Sequence, residues 1–372
     1  RFKKHFVLTF MNKMKRVLSA LAASVLTVSA TYAQITYIDA SRLAVTGRPF
    51  PVREPFTRID TASFRLPDNT TSRYACFSTG LAVLFTTDSR NISAKWKTSG
   101  SNALDNMNAI VQKGLDLYIR KDGKWTFAGV GRPSMKKPPY DTHKSSIVSS
   151  MEEGIKDCLL YLPLFDKVDS LEIGVDEGAF VKAGESPESP KVVFFGSSIT
   201  HGAAASRPGM AFPARFGRDN GIEVYNLGFS GSSRLQEEFA HILAGIEADV
   251  FVLDAFSNPS AEEIYSRFDR FVDILRKAHP DTPLIFLQTE RRETRNFITA
   301  VEKSEAAKQK AAEEAVRKRM INDSKIHFID SDDFLGNDNI ATVDGVHPTD
   351  LGFTRMLSVI TPVILSVIEQ EL

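Results

Sequence analysis

Lys191-Val192-Val193-Phe194-Phe195-Gly196-Ser197-Ser198-Ile199-Thr200-His201-Gly202 is the stretch that decides how the chain is read. Four apolar residues in a row, Val192 to Phe195, predict a strand buried on both faces. Gly196 lets the chain turn out of that strand, and Ser197-Ser198 then opens a helix. Downstream the same pattern returns. Glu223–Leu227, Asp249–Asp254, Pro283–Leu287 and Ile326–Asp330 read as further apolar strands. Ala261–His279, Thr299–Met320 and about Thr349–Glu369 read as helices. Strands apolar on both sides and joined by helices predict a parallel sheet covered on both faces. The Lys/Glu/Ala-rich run from Glu302 to Arg319 reads as a solvated helix.

Upstream the texture changes. Leu81–Thr86, Asn91–Trp96, Leu115–Ile119, Trp125–Phe127, Asp157–Leu162 and Ser170–Val175 are short alternating runs. Turn signals such as Lys121-Asp122-Gly123-Lys124 separate them. An antiparallel sandwich or jelly roll is expected there. Gly184-Glu185-Ser186-Pro187-Glu188-Ser189-Pro190 is the natural boundary. The expected division is 1–33 as a signal peptide with upstream residues, 34–183 as a β-sandwich, 184–190 as linker and 191–372 as an α/β domain.

The 46 Lys and Arg residues balance 46 Asp and Glu, so net charge is zero. That argues against a nucleic-acid partner and against substrate capture by bulk charge. At the N-terminus, Lys13, Lys15 and Arg16 precede the short apolar run Val17–Val28 and the small-x-small site Thr31-Tyr32-Ala33. This is the pattern of an export signal, and a periplasmic or extracellular protein without stable membrane insertion is expected. Cys76 and Cys158 are the two cysteines. A disulfide and buried free thiols are both compatible with their settings. No histidine and cysteine spacing suggests a metal site, and neither a metal nor a cofactor is expected.

Ligands of open parallel sheets bind beyond the carboxyl ends of the strands. Four groups stand there. Gly196-Ser197-Ser198 follows the first strand. Gly228 follows the second, in Asn226-Leu227-Gly228-Phe229-Ser230-Gly231, and Asn258 follows the third, in Phe256-Ser257-Asn258-Pro259. Near the C-terminus, Asp344 precedes His347 by three residues. Alone, each has a plain alternative: an N-cap serine, a turn glycine, an Asn-Pro turn, an N-cap aspartate. Together they supply a nucleophile, a base that titrates in the useful range and an acceptor to orient that base. His201, beside the serine, has no carboxylate at fixed spacing and is expected to line the pocket, as is Arg207.

This set resembles the four blocks of the SGNH (GDSL-type) hydrolases. Position 197 is Ser where the family name-motif has Asp, and the third block lacks its usual Gly-x-Asn-Asp neighbours. Gly114-Leu115-Asp116-Leu117-Tyr118 is similar to the G-x-D-L-Y signature of a β domain that precedes SGNH hydrolases in exported bacterial proteins, and Ser206–Phe212 resembles the same subgroup. The resemblance implies a flavodoxin-like three-layer α/β/α hydrolase domain behind a jelly-roll-like β-sandwich. It implies Ser198 as nucleophile, His347 as base and Asp344 as its orienting acid. It implies an oxyanion hole from the N–H groups of Ser198 and Gly228 and the Asn258 amide. The activity implied is that of a serine esterase removing acyl groups, acetyl foremost, from a carbohydrate. A lysophospholipase-like acylhydrolase and a non-catalytic carbohydrate-binding protein with a decayed site are the alternatives. In the β motif, Asp116 and Tyr118 are expected only to tie strands together.

Overall fold

Val192 to Phe195 have a paired strand on each edge and a buried core on each face, and it is the two cores that leave that strand no polar face. In the computed structural model it is the second strand of a five-stranded parallel sheet. The structure describes residues 34–100, 104–135, 138–186 and 188–371, and its described residues from Ile35 onward form one compact unit. The export-signal reading of residues 1–33 lies outside the described residues.

The parallel strands are β11 (Lys191–Gly196), β12 (Glu223–Gly228), β13 (Val250–Asp254), β14 (Leu284–Leu287) and β15 (Ile326–Ile329), in the order β12-β11-β13-β14-β15. Numbered from the first strand, this is the 2-1-3-4-5 order of flavodoxin-like sheets, whose switch point lies where the winding reverses. Here that point is between β11 and β13. Each face of the sheet has its own core. Val193, Phe195, Phe251 and Leu253 point one way, with Phe239, Phe268 and Val316. Val192, Phe194, Val250 and Val252 point the other way, with Phe212, Phe353 and Ile360. The alternation follows from the two-residue period of a strand, and it makes the three-layer α/β architecture the sequence predicts.

The residues before β11 form two antiparallel sheets. One has the order β1-β9-β4-β7, from Ile35–Asp39, Val168–Asp176, Ile92–Thr98 and Thr142–Val148. The other has the order β10-β3-β8-β5-β6, from Val181–Ala183, Ala82–Thr87, Lys156–Tyr161, Leu115–Lys121 and Lys124–Gly131, with β2 (Ala44–Thr46) beside β3. Val83, Phe85, Leu117 and Leu160 of one sheet share a core with Ala94, Trp96, Leu171 and Ile173 of the other. Cys158 is buried in that core, and burial pushes its thiol up to about 12. Cys76 is also a free thiol, so the two are not paired.

The helix Thr299–Met320 forms where expected, but it is not simply solvated. Glu305 and Lys308 are buried. Their mutual ion pair of 2.7 Å, with Arg292 3.3 Å from Glu305, makes the burial tolerable.

Candidate active site

β11 ends at Gly196, and Ser197 caps the four-residue helix α3 (Ser198–His201) through its Oγ, which accepts the Ile199 N–H at 3.1 Å. Ser198 is therefore the first helical residue, at the carboxyl edge of the sheet. It is 8 % exposed. Its Oγ lies 2.9 Å from His347 Nε2, and His347 Nδ1 lies 2.7 Å from Asp344 Oδ2. A carboxylate can only accept, so Nδ1 carries the proton and Nε2 is left to accept the serine O–H.

The turn that carries His347 is held by its own backbone. Asp344 Oδ1 accepts the N–H groups of Val346 and His347 at 3.1 and 2.8 Å. Val343 N–H donates to His347 O at 2.9 Å, and Thr294 N–H donates to Gly345 O at 3.2 Å. Partial burial works to raise the Asp344 carboxyl. The His347 N–H, the Asn106 amide and the imidazole outweigh it and hold the group at about 2. At neutral pH it is the charged acceptor that a base histidine needs.

Asp254 was not read from sequence as part of the site, yet it fixes the serine turn. It closes β13 opposite Gly196 in the register. Its Oδ2 accepts Ser197 N–H at 3.1 Å, Ser197 Oγ at 2.6 Å and Thr200 Oγ1 at 2.9 Å. Its Oδ1 accepts Ser257 Oγ at 2.8 Å. Burial raises this carboxyl, opposed by those hydrogen bonds. The neighbouring strand thus brings a carboxylate to the hydroxyl of position 197. The signal available in sequence was an acid ending an apolar strand.

Three of the expected site residues sit differently. Gly228 does not present a free N–H: it donates to Asn226 Oδ1 at 2.9 Å. A Cβ there would lie 2.1 Å from His201 N, so the glycine is required by close packing of α3 on β12. Three residues on, Gly231 has φ +69° and open space beside it. Its N–H makes no hydrogen bond among the described residues. His201 does not line an open pocket. Its ring is wholly buried and stacked on Phe165 at 4.0 Å, with Nε2 2.7 Å from Leu164 O. Arg207 turns away to the antiparallel sheets, 3.2 Å from Asp116 and over Phe127 at 4.2 Å. Asp116 also accepts Gly209 N–H at 2.9 Å. The G-x-D-L-Y residues therefore tie β5 to the turn after α3, rather than strand to strand. Asn258 lies by the loop after β12, its amide donating to Ser233 Oγ at 3.0 Å. One residue of the antiparallel region reaches the histidine: Asn106 Nδ2 lies 3.1 Å from Asp344 Oδ2 and 3.3 Å from His347 Nδ1. Nothing in the spacing of the chain announces it.

The sequence profile of the GDSL-like lipase/acylhydrolase family matches residues 189–365. A profile described as the N-terminus of SGNH-hydrolase-type esterases, named GxDLY, matches residues 35–181. No curated protein matches. Among solved structures, a protein of Bacteroides ovatus ATCC 8483 described as a GDSL-like lipase is 45 % identical, with a TM-score of 0.86, covering 90 % of this chain and 98 % of its own. The salicylyl-acyltransferase SsfX3 of a tetracycline biosynthetic pathway is 19 % identical, with a TM-score of 0.63 and 91 % and 97 % covered. A family two carbohydrate esterase from Clostridium thermocellum, in complex with cellohexaose, is 14 % identical, with a TM-score of 0.56 and 78 % and 93 % covered. The last two share the fold alone. Matched along nearly its whole length by a relative at 45 % identity, with the serine turn inside the matched profile, the chain belongs to the GDSL-like lipase/acylhydrolase family of ester hydrolases.

Proposed function

We propose that Ser198, His347 and Asp344 act as a catalytic triad that removes acyl groups, acetyl foremost, from a carbohydrate. The observation that carries the reading is the unbroken line of contacts, 2.9 Å from Ser198 to His347 and 2.7 Å from His347 to Asp344, at the carboxyl edge of the sheet. His347 Nε2 takes the Ser198 proton as Oγ attacks the ester carbonyl, and Asp344 stabilises the imidazolium. The Ser198 N–H, the second N–H of the Asn258 amide and the Gly231 N–H receive the oxyanion, Gly231 replacing Gly228 in that role. His347 then protonates the leaving alcohol, and water repeats the sequence on the acyl-serine to release the acid.

The acetyl-carbohydrate part of the reading has separate support. The family two carbohydrate esterases share this architecture, and one of them is seen with cellohexaose bound. Export, read from residues 13–33, would bring such an enzyme to polysaccharide, and the division of the mature chain at 184–190 belongs to the same proposal.

Acyl chain length tests the substrate. With p-nitrophenyl esters, kcat/KM is expected to fall by at least tenfold from acetate to octanoate, and acetate is expected to be released from acetylated xylan, pectin, xyloglucan or mucin-type glycan. A rate that rises with chain length would replace this reading with the lipid-type one. Folded protein that hydrolyses none of these esters would support a decayed site.

A further inference from the structure

Asn106 belongs to the segment between β4 and β5 of the antiparallel sheets, more than two hundred residues from the histidine, yet it touches both members of the Asp344–His347 pair. We infer that Asn106 is a positioning residue for the catalytic dyad, supplied by the N-terminal region across to the α/β sheet. The inference rests on the triad proposed above.

The chemistry of the contact decides which bond counts. His347 Nδ1 already carries a proton directed at Asp344 Oδ2, so the Asn106 amide, also a donor, cannot bond it. The amide donates to Asp344 Oδ2 at 3.1 Å, the same oxygen that accepts from the imidazole. The opposite amide orientation would set two acceptor oxygens against each other, which fixes Nδ2 as the facing atom. A second donor on that oxygen holds the carboxylate in the rotamer that faces the imidazole, and leaves Oδ1 to the backbone of the turn.

The segment that carries Asn106 is braced on both sides. Gln112, buried, donates to Leu104 O at 3.0 Å and Met107 O at 2.7 Å, and accepts Leu104 N–H at 2.7 Å. Asn108 Oδ1 accepts the N–H groups of Ile110 and Val111 in the helix Ala109–Lys113, and its amide donates to Ser206 O at 2.9 Å. Ser206 N–H in turn donates at 2.9 Å to Asp350, which heads the helix that follows His347. Asn106 is thus mounted on a frame tied to the same end of the α/β sheet. Pre-organisation of this kind is what a residue acting through another needs.

The test compares Asn106→Ala and Asn106→Asp with wild type and Ser198→Ala, on the full chain with p-nitrophenyl acetate. Asn106→Ala is expected to lower kcat at least tenfold with KM within twofold. Asn106→Asp keeps the size but loses the donor and faces a like charge, so its kcat is expected to fall at least as far. Unchanged thermal melting of both variants would accompany these losses. Wild-type kcat in Asn106→Ala overturns the inference, as does wild-type kcat in Asn106→Asp, which would mark a packing role. A change confined to KM also overturns it, by making Asn106 a substrate contact. If Ser198→Ala keeps full activity, the triad reading falls as well; if Ser198→Ala is inactive and the Asn106 variants are not, this inference alone falls.

Discussion

Replacing His347 with alanine is expected to lower kcat toward p-nitrophenyl acetate by about four orders of magnitude or more, because a serine without a base is a poor nucleophile at neutral pH. KM is expected to stay within a few-fold, since in the proposed triad the imidazole acts on the proton of Ser198 rather than on the bound ester. The side chain is one-fifth exposed and carried by a turn held by backbone bonds, so the fold should survive its truncation. Asp344→Asn is expected to be nearly as damaging. An amide in place of the carboxylate can donate to Nδ1 and so favours the wrong tautomer. Stopped-time assays of purified variants, with melting curves alongside, check both. A His347→Ala protein within tenfold of wild type would mean that another group takes the serine proton.

Gly228→Ala is expected to destabilise the protein by about 3 kcal/mol or more, because overpacking against backbone cannot be relieved by a rotamer change. The added Cβ would stand 2.1 Å from His201 N and 2.4 Å from His201 Cα. Neither side can yield easily. The wholly buried Arg58 donates to Asn226 O at 2.9 Å and Gly228 O at 3.1 Å, pinning β12 from behind. Asn226 donates to Thr200 O at 2.8 Å, pinning α3 in front. The displaced element would be α3, which begins with Ser198. Variant protein that still folds is therefore expected to melt roughly 4 °C or more below wild type and to lose about a hundredfold in kcat. Scanning calorimetry and the ester assay read these together. A variant with wild-type melting and reduced kcat would instead return Gly228 to the oxyanion hole.

The parallel sheet was legible because its strands must be apolar on both faces, and Val192–Phe195, Val250–Leu253 and Pro283–Leu287 show that as unbroken runs. The antiparallel strand Thr142–Val148 was not. It is a mostly polar edge strand, with His143 as its buried residue, and such a strand has no pattern to read. Ser198, His347 and Asp344 stood out because each follows a strand or shares a turn, and the structure brings the three into contact. The glycine that ends β12 differs from its expected setting for a physical reason. A packing glycine and an N–H donor look alike in sequence; the hydrogen bond to Asn226 and the close approach to His201 set Gly228 apart from Gly231, which has open space beside it. His201 was misread because proximity along the chain says nothing of direction. One turn of helix sends its ring into the core beside Phe165 while Ser198 faces His347. Asp254 and Asn106 reach the site through sheet register and across the two halves of the chain, and neither route is written in local spacing.

The central claim is that Ser198 is the nucleophile, and covalent trapping tests it most directly. Folded protein treated with a fluorophosphonate, digested and analysed by mass spectrometry is expected to carry one adduct per chain, on Ser198, and His347→Ala protein is expected to carry almost none in the same time. A folded wild-type protein that takes up no label, or that carries it on Ser197 or any other serine, would contradict the account.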